Sequence, residues 1–152
     1  MEITTDVQGL AELEKALLDL GAQTGFKTLR SAARKAMKPV LSDAQANVNV
    51  DSGDTKESLA ISAKKGKGHA SAVVVSVGNT RKKARKSEGG HKLAGVNQKV
   101  IAQEYGTKNQ AADPFLTPAL IKNKDQVLNL FKAELVTAID RAVKKAAKTG
   151  KK

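Results

Sequence analysis

Apolar residues recur every three or four positions in the first part of the chain, and this spacing predicts amphipathic helices. One helical face contains four leucines: Leu10, Leu13, Leu17 and Leu20. Gly21 follows as a residue that suits the left-handed end of a helix. A second face begins near Thr24 or Gly25 and contains Phe26, Leu29, Ala33, Met37, Leu41 and Ala44. Because Pro39 lies inside it, we expect a kink near residues 35 to 39 or two consecutive helices.

The patterns that indicate strands lie at the start and in the middle of the chain. Glu2–Val7 alternates loosely and predicts a short strand, and the polar residues 51–55 predict a loop. Leu59–Ala63 alternates, and the valine-rich run Ala70–Val77 is the best strand signal in the sequence. Together these two runs predict an antiparallel hairpin with a glycine-containing turn. Lys99–Tyr105 is a third candidate strand.

A last helix is predicted to follow the segment Asp113-Pro-Phe-Leu-Thr-Pro-Ala-Leu. Thr117 would cap it, with Pro118 in the first helical position, where a missing N–H costs nothing. The apolar stripe of this helix contains Leu120, Leu128, Phe131, Leu135, Ile139 and Val143. From Lys144 onward the chain is cationic, and we expect it to fray.

This order of elements predicts one α+β domain. A small antiparallel β-sheet would be packed on one face by an N-terminal helical pair and a long C-terminal helix. The domain would span residues 1–147 and carry a long basic loop at about 79–98. Residues 148–152 would form a flexible cationic tail.

Composition narrows the classes of function. Cysteine is absent, which excludes disulfides and thiolate metal sites and fits a reducing compartment such as the cytosol. No signal peptide or membrane-spanning run is visible, so no membrane partner is expected. The formal net charge of +12 favours an anionic partner such as nucleic acid or an acidic protein surface.

Candidate chemistry is sparse. His69 and His91 lie in glycine- and lysine-rich stretches without neighbouring ligands at metal-binding spacing. Gly66-Lys-Gly-His lacks the remaining features of a phosphate-binding loop, and a hairpin turn explains it better. Glu104 and Asp113 have no nucleophile beside them, so solvated or capping roles are expected. The sequence therefore predicts no enzyme, no cofactor, no metal and no small-molecule ligand.

Two basic clusters are candidate contacts for an anionic partner. They comprise Arg81, Lys82, Lys83, Arg85 and Lys86 in the long loop and Lys144 and Lys145 near the C-terminus. These residues would neutralise phosphates, but no aromatic residues are interleaved and no sequence-reading motif is present. Nonspecific contact with DNA and a solvated or protein-docking loop remain the two alternatives.

Two linked motifs resemble a family of tailed-phage proteins variously called tail-completion, neck, head-tail joining or minor tail proteins. They are Gln103-Glu-Tyr-Gly-Thr and Asp113-Pro-Phe-Leu-Thr-Pro-Ala-Leu. Gly9-Leu-Ala-Glu-Leu-Glu-Lys-Ala-Leu resembles the family's opening helix. Ser52-Gly, Glu57-Ser-Leu and Val75-Ser-Val-Gly resemble its hairpin region. The chain departs from the family at Asn49-Val-Asp, where a proline is usual, and in its longer, more basic loop at 81–92.

The resemblance implies a structural virion protein at the head-tail junction. It would act in a ring, by implication a hexamer matched to the sixfold tail, beside tail or head-connector proteins. Nonspecific contact with packaged DNA would accompany this role, and a nonspecific basic DNA-binding protein is the alternative. The corner that fixes the last helix would contain Glu104, Tyr105, Gly106, Thr107, Pro114, Phe115 and Pro118. The basic loop and the tail would become ordered on assembly.

Overall fold

A computed structural model describes residues 10–49, 54–66, 73–79 and 93–149. Within these ranges the chain forms six helices and a two-stranded sheet. The predicted strand Glu2–Val7 and most of the hairpin turn lie outside the described residues.

The N-terminal part of the described chain consists of three helices in succession. They are α1 (Leu10–Asp19), α2 (Ala22–Ala36) and α3 (Lys38–Asn47). Gly21 separates the first two with a backbone φ of 75°, which is the left-handed conformation predicted for it. Met37 separates α2 from α3, with Pro39 at the start of α3 where its missing N–H is harmless. Of the two predicted alternatives, a kinked helix or two consecutive helices, the structure has the second.

The deepest contacts of α2 and α3 are made by small residues spaced four apart. Ala32, Ala36, Val40, Ala44 and Val48 are all at most 3% exposed. The larger residues that the sequence placed on this face, such as Leu29 and Leu41, are half-buried beside the stripe. Small side chains let helices approach closely, and longer ones then fill the margins of the contact.

The hairpin consists of β1 (Leu59–Lys65) and β2 (Val73–Asn79), paired antiparallel with Ala63 opposite Val75. A short helix, α4 (Asp54–Ser58), leads directly into β1, so the predicted polar loop at 51–55 is wrong for its last two residues. The strands pack mainly against α2 and α3. This packing matters because an isolated two-stranded hairpin is marginally stable in water.

The segment predicted as a third strand is helical. It forms α5 (Leu93–Tyr105), which also includes residues 93–98 of the predicted long basic loop. The apolar positions of 99–105 are too few to distinguish a two-residue from a four-residue period. Burial in the helix follows the helical period, because Val100, Gln103 and Glu104 are buried together.

The chain ends in one long helix, α6 (Leu116–Thr149). Its packed side is a stripe of residues four apart: Ala119, Asn123, Val127, Phe131, Leu135 and Ile139. The predicted stripe is wrong at both ends, since Leu120 is 43% and Val143 is 51% exposed. The first half of α6 packs in a cluster with α3, β1 and α5, and the second half packs against α1 and α2. The fold is α+β, as predicted.

Candidate assembly corner

The start of α6 is capped by a side chain from another helix. Oε2 of Glu104, on α5, accepts hydrogen bonds from the backbone N–H groups of Phe115 at 3.0 Å and Leu116 at 2.9 Å. Oε1 accepts bonds from the Thr117 N–H at 2.9 Å and the Thr117 hydroxyl at 2.6 Å. The first four N–H groups of a helix have no partner within the helix. Here the fourth position, counted from Phe115, is Pro118, which has no N–H group. Glu104 therefore completes the first turn of α6.

This arrangement corrects the predicted cap. Thr117 is the second helical residue rather than the cap, and Pro118 is the third rather than the first. Thr117 donates its hydroxyl to Glu104 instead of accepting from its own backbone. Phe115 stands at the cap position and is 1% exposed, so it anchors this end of the helix in the core. A carboxylate placed here also complements the positive end of the helix dipole.

The chain between α5 and α6 turns sharply at Gly106. Its backbone φ is 76°, and its N–H donates to the Ala102 carbonyl at 2.8 Å, which is how glycine commonly ends a helix. A β-carbon here would lie 2.9 Å from the Ala112 nitrogen. Thr107 and Gln110 pair across the turn that follows. The Asp113 N–H donates to the Gln103 carbonyl at 2.8 Å and closes the corner.

The charge state of Glu104 is set by burial and hydrogen bonds that act in opposite directions. Burial alone would raise the pKa of its carboxyl group. The hydrogen bonds from the Thr117 hydroxyl and from three backbone N–H groups outweigh it, and they hold the pKa of Glu104 below its usual range. Glu104 is thus a permanently charged structural group at neutral pH.

We call residues 101–118 the Glu104 corner. Two large side chains of α5 face solvent in this corner. Ile101, which precedes Tyr105 by one turn, is 58% exposed and Tyr105 is 77% exposed. Residues four apart lie on the same side of a helix, so these two side chains form one exposed patch opposite the buried Val100, Gln103 and Glu104. Aromatic side chains such as tyrosine are enriched at protein interfaces.

Gln103 adds an unusual feature to the inner side of the corner. The residue is 8% exposed, and within the described ranges its Nε2 amide has no hydrogen-bond partner. Buried amide donors in folded proteins nearly always have one. This amide lies on the buried side of α5, away from Ile101 and Tyr105.

A second surface lies along α2. Two adjacent hollows of about 630 and 490 Å³ share Lys27, Ser31 and Lys35 and together form what we call the basic trough. The first hollow extends to the β1 strand at Ala60 and Ile61, and the second extends to the C-terminal half of α6. The basic residues that line the trough are Lys27, Arg30, Arg34, Lys35, Lys38, Arg141 and Lys145.

The positive charge of the trough affects the carboxylate of Glu134 at its edge. Lys35 donates to Oε2 of Glu134 at 2.6 Å. That hydrogen bond, with the charges of Arg141 and Lys38, holds the pKa of Glu134 below its usual range. No acidic side chain lines either hollow among the residues that the structure describes. The trough is therefore a strongly cationic surface.

The structure places the predicted cationic residues in different settings. Arg81, Lys82, Lys83, Arg85 and Lys86 lie outside the described residues, as do His69 and His91. Lys144 and Lys145 are exposed on α6, and Lys145 lines the trough. The basic face of α2 was missed as a candidate contact. A signal for it exists in the sequence, because residues 22–38 contain five basic residues and no acidic one.

Two further features, a metal-binding cluster and a membrane-spanning helix, are absent from the described ranges. No group of three or more histidine, aspartate or glutamate side chains there is arranged to hold a metal ion. No helix in those ranges combines the length and apolar character that crossing a membrane requires.

Comparison with known proteins indicates the class of protein, which is a bacteriophage tail component. A family model described as "Bacteriophage HK97-gp10, putative tail-component" matches residues 11–90. The match covers just over half of the chain, and the protein therefore belongs to the HK97-gp10-like family. The matched segment includes α1 to β2, and the Glu104 corner lies after its last residue. No curated protein and no solved structure matches the chain.

Proposed function

We propose that this protein is a structural, non-enzymatic virion component that works at the head-tail junction. In this role, copies of the chain assemble into a ring, a hexamer by analogy with the sixfold tail, and contact neighbouring tail or head-connector proteins. The family supports the tail assignment. The observation that carries the assembly role is the exposed pair Ile101 and Tyr105 on the rigid Glu104 corner.

The physical argument starts from the rigidity of the corner. Two helices are held together by the hydrogen bonds that Glu104 accepts from the first turn of α6, so the patch on α5 has a fixed position relative to the rest of the fold. Because the helix that carries them is already ordered, these residues lose no backbone entropy when they bind, and water leaving their apolar surface favours association. A ring needs the same patch on each copy to meet a different patch on the next.

Localisation in the virion tests the proposal most directly. Gold-labelled antibody against this chain should decorate the neck or the upper tail of virions of the phage that encodes it. Virions without label would refute the structural role and favour the second candidate, a nonspecific DNA-binding protein. The basic trough is the observation that supports that second candidate.

The role of the corner can be tested with paired variants. Ile101→Ser combined with Tyr105→Ser should leave the protein folded but exclude it from virions, because the apolar interface is lost. The matched control, Leu18→Ser with Val143→Ser, changes two apolar residues that are 68% and 51% exposed on other helices. Incorporation is read from the amount of the chain in purified virions by mass spectrometry. Equal incorporation of both variants would contradict the assignment of the interface to α5.

A further inference from the structure

We propose that the basic trough along α2 binds the phosphate backbone of duplex DNA without reading its sequence. A protein at the head-tail junction meets the packaged genome, so the choice of DNA rests on the proposed function. The surface itself is argued from the structure alone.

The spacing of the basic residues suits a line of phosphates. Lys27, Arg30 and Arg34 are three and four residues apart, and Lys38 follows after four more. They therefore lie along one side of consecutive helices over roughly 16 Å, at 1.5 Å per residue. Each DNA strand carries a phosphate about every 3.4 Å along the axis, so several phosphates fit beside this row.

The trough has a second wall that adds charge. Arg141 on α6 lines the hollow that also contains Lys27 and Lys35. Because Thr28 and Ala32 of α2 are buried against neighbouring elements, the row of basic residues on α2 is held in place. Cations on two sides of a hollow produce a higher positive potential than the same residues spread over a convex surface.

The composition of the trough favours DNA over an acidic protein. Protein interfaces are enriched in aromatic residues and depleted of lysine. No aromatic side chain lines the trough in the described part of the chain, while four of its seven basic residues are lysines. Interfaces with DNA are far more positively charged than those between proteins. The lack of stacking residues also favours a duplex over a single strand.

The test uses purified full-length protein and a fluorescent duplex of mixed sequence, with binding measured by anisotropy over a range of salt concentrations. The trough variant combines Lys27→Gln, Arg30→Gln and Arg34→Gln. All three residues are exposed, so the fold should be retained, and thermal unfolding verifies this. Removing three phosphate contacts should reduce the slope of log K against log salt by roughly 2 to 3 and weaken binding about tenfold or more at low salt.

A matched control separates local from overall charge. Lys56→Gln, Lys108→Gln and Lys124→Gln remove the same number of charges from exposed positions outside the trough. This control should bind DNA nearly as well as the unaltered protein. Equal losses in the two variants would overturn the proposal, since binding would then follow net charge alone.

Two further arms complete the test. Lys27→Arg with Arg30→Lys and Arg34→Lys keeps the charges and should preserve DNA binding. Poly-L-glutamate serves as a probe for an acidic protein. If the trough variant no longer bound poly-L-glutamate but still bound DNA, the proposal would be overturned in favour of a protein partner. The head-tail role is judged separately by virion labelling. DNA binding can fail while labelling succeeds, and labelling can fail while DNA binding persists.

Discussion

At the scale of single residues, the carboxylate of Glu104 stabilises the protein only while it is charged. Glu104→Gln replaces one of its two accepting oxygens with an N–H₂ group that faces backbone donors. We expect the free energy of unfolding to fall by about 2 to 3 kcal/mol at pH 7. Urea unfolding of both proteins measures this difference.

The pH dependence of that difference identifies its cause. The pKa of Glu104 is lowered in the folded state, so its contribution is complete above the usual glutamate pKa of about 4.3 and is lost as the pH falls through the folded pKa. The gap between Glu104→Gln and the unaltered protein should therefore narrow in acid. Glu57→Gln, at an exposed position on α4, serves as the control and should change stability little at any pH. A gap that stays constant down to about pH 2, below the range in which carboxylates titrate, would contradict the charged-cap explanation.

The residues of this corner were predictable from the sequence, whereas their contacts were not. The motif indicated that Glu104, Gly106, Phe115 and Pro118 act together, and a capping role for Glu104 was among the expectations. Ordinary capping rules look for a residue just before the helix, which led to Thr117. The actual cap comes from a residue 13 positions before Thr117 on a different helix. Local spacing carries no signal for such a contact.

At the scale of elements, periodicity predicted the order of the N-terminal helices and the hairpin. It left open whether the chain is kinked or divided near Pro39, and it placed the packed faces imperfectly. Large apolar residues marked the face of α2, although the closest contact is made by alanines such as Ala32 and Ala36. In α6 the use of large apolar residues to predict the packed face included Leu120, which is exposed, and left out Asn123, which is buried. Asn123 is accommodated because its amide donates to Asp43 and to the Ala119 carbonyl, each at 2.8 Å. Hydrophobicity alone cannot anticipate a paired polar residue.

The second half of α6 offers a direct test of the packing between helices. Leu135 is 1% exposed and clusters with Ala32 of α2 and with leucines of α1. Leu135→Ala should lower the free energy of unfolding by about 2 to 4 kcal/mol, because it removes buried apolar area and leaves a cavity. Its neighbour Val136 is 47% exposed, and Val136→Ala should cost no more than about 0.5 kcal/mol. Chemical denaturation compares the two, and similar losses would contradict this placement of the α6 face.

At the scale of the whole molecule, the net charge of +12 indicates an anionic partner but does not locate the surface that binds it. The trough joins α2 to Arg141 and Lys145, which lie near the opposite end of the chain. Only the packing of α6 on α2 brings them together. The sequence favours the loop at 81–86 as the contact because its basic residues are nearly consecutive, whereas those of α2 are spread by the helical period.

The Glu104 corner and the basic trough are built from different residues, so their functions should separate. Mutations at sites that share no partners usually act independently. The Ile101→Ser and Tyr105→Ser variant keeps every charge, and we expect it to bind duplex DNA normally while failing to enter virions. The trough variant should show the reverse pattern, with normal incorporation and weakened DNA binding. Anisotropy and virion mass spectrometry on the same two proteins measure both properties. If the trough variant were also excluded from virions, contact with DNA would be a requirement of assembly, and the two surfaces would act as one coupled site.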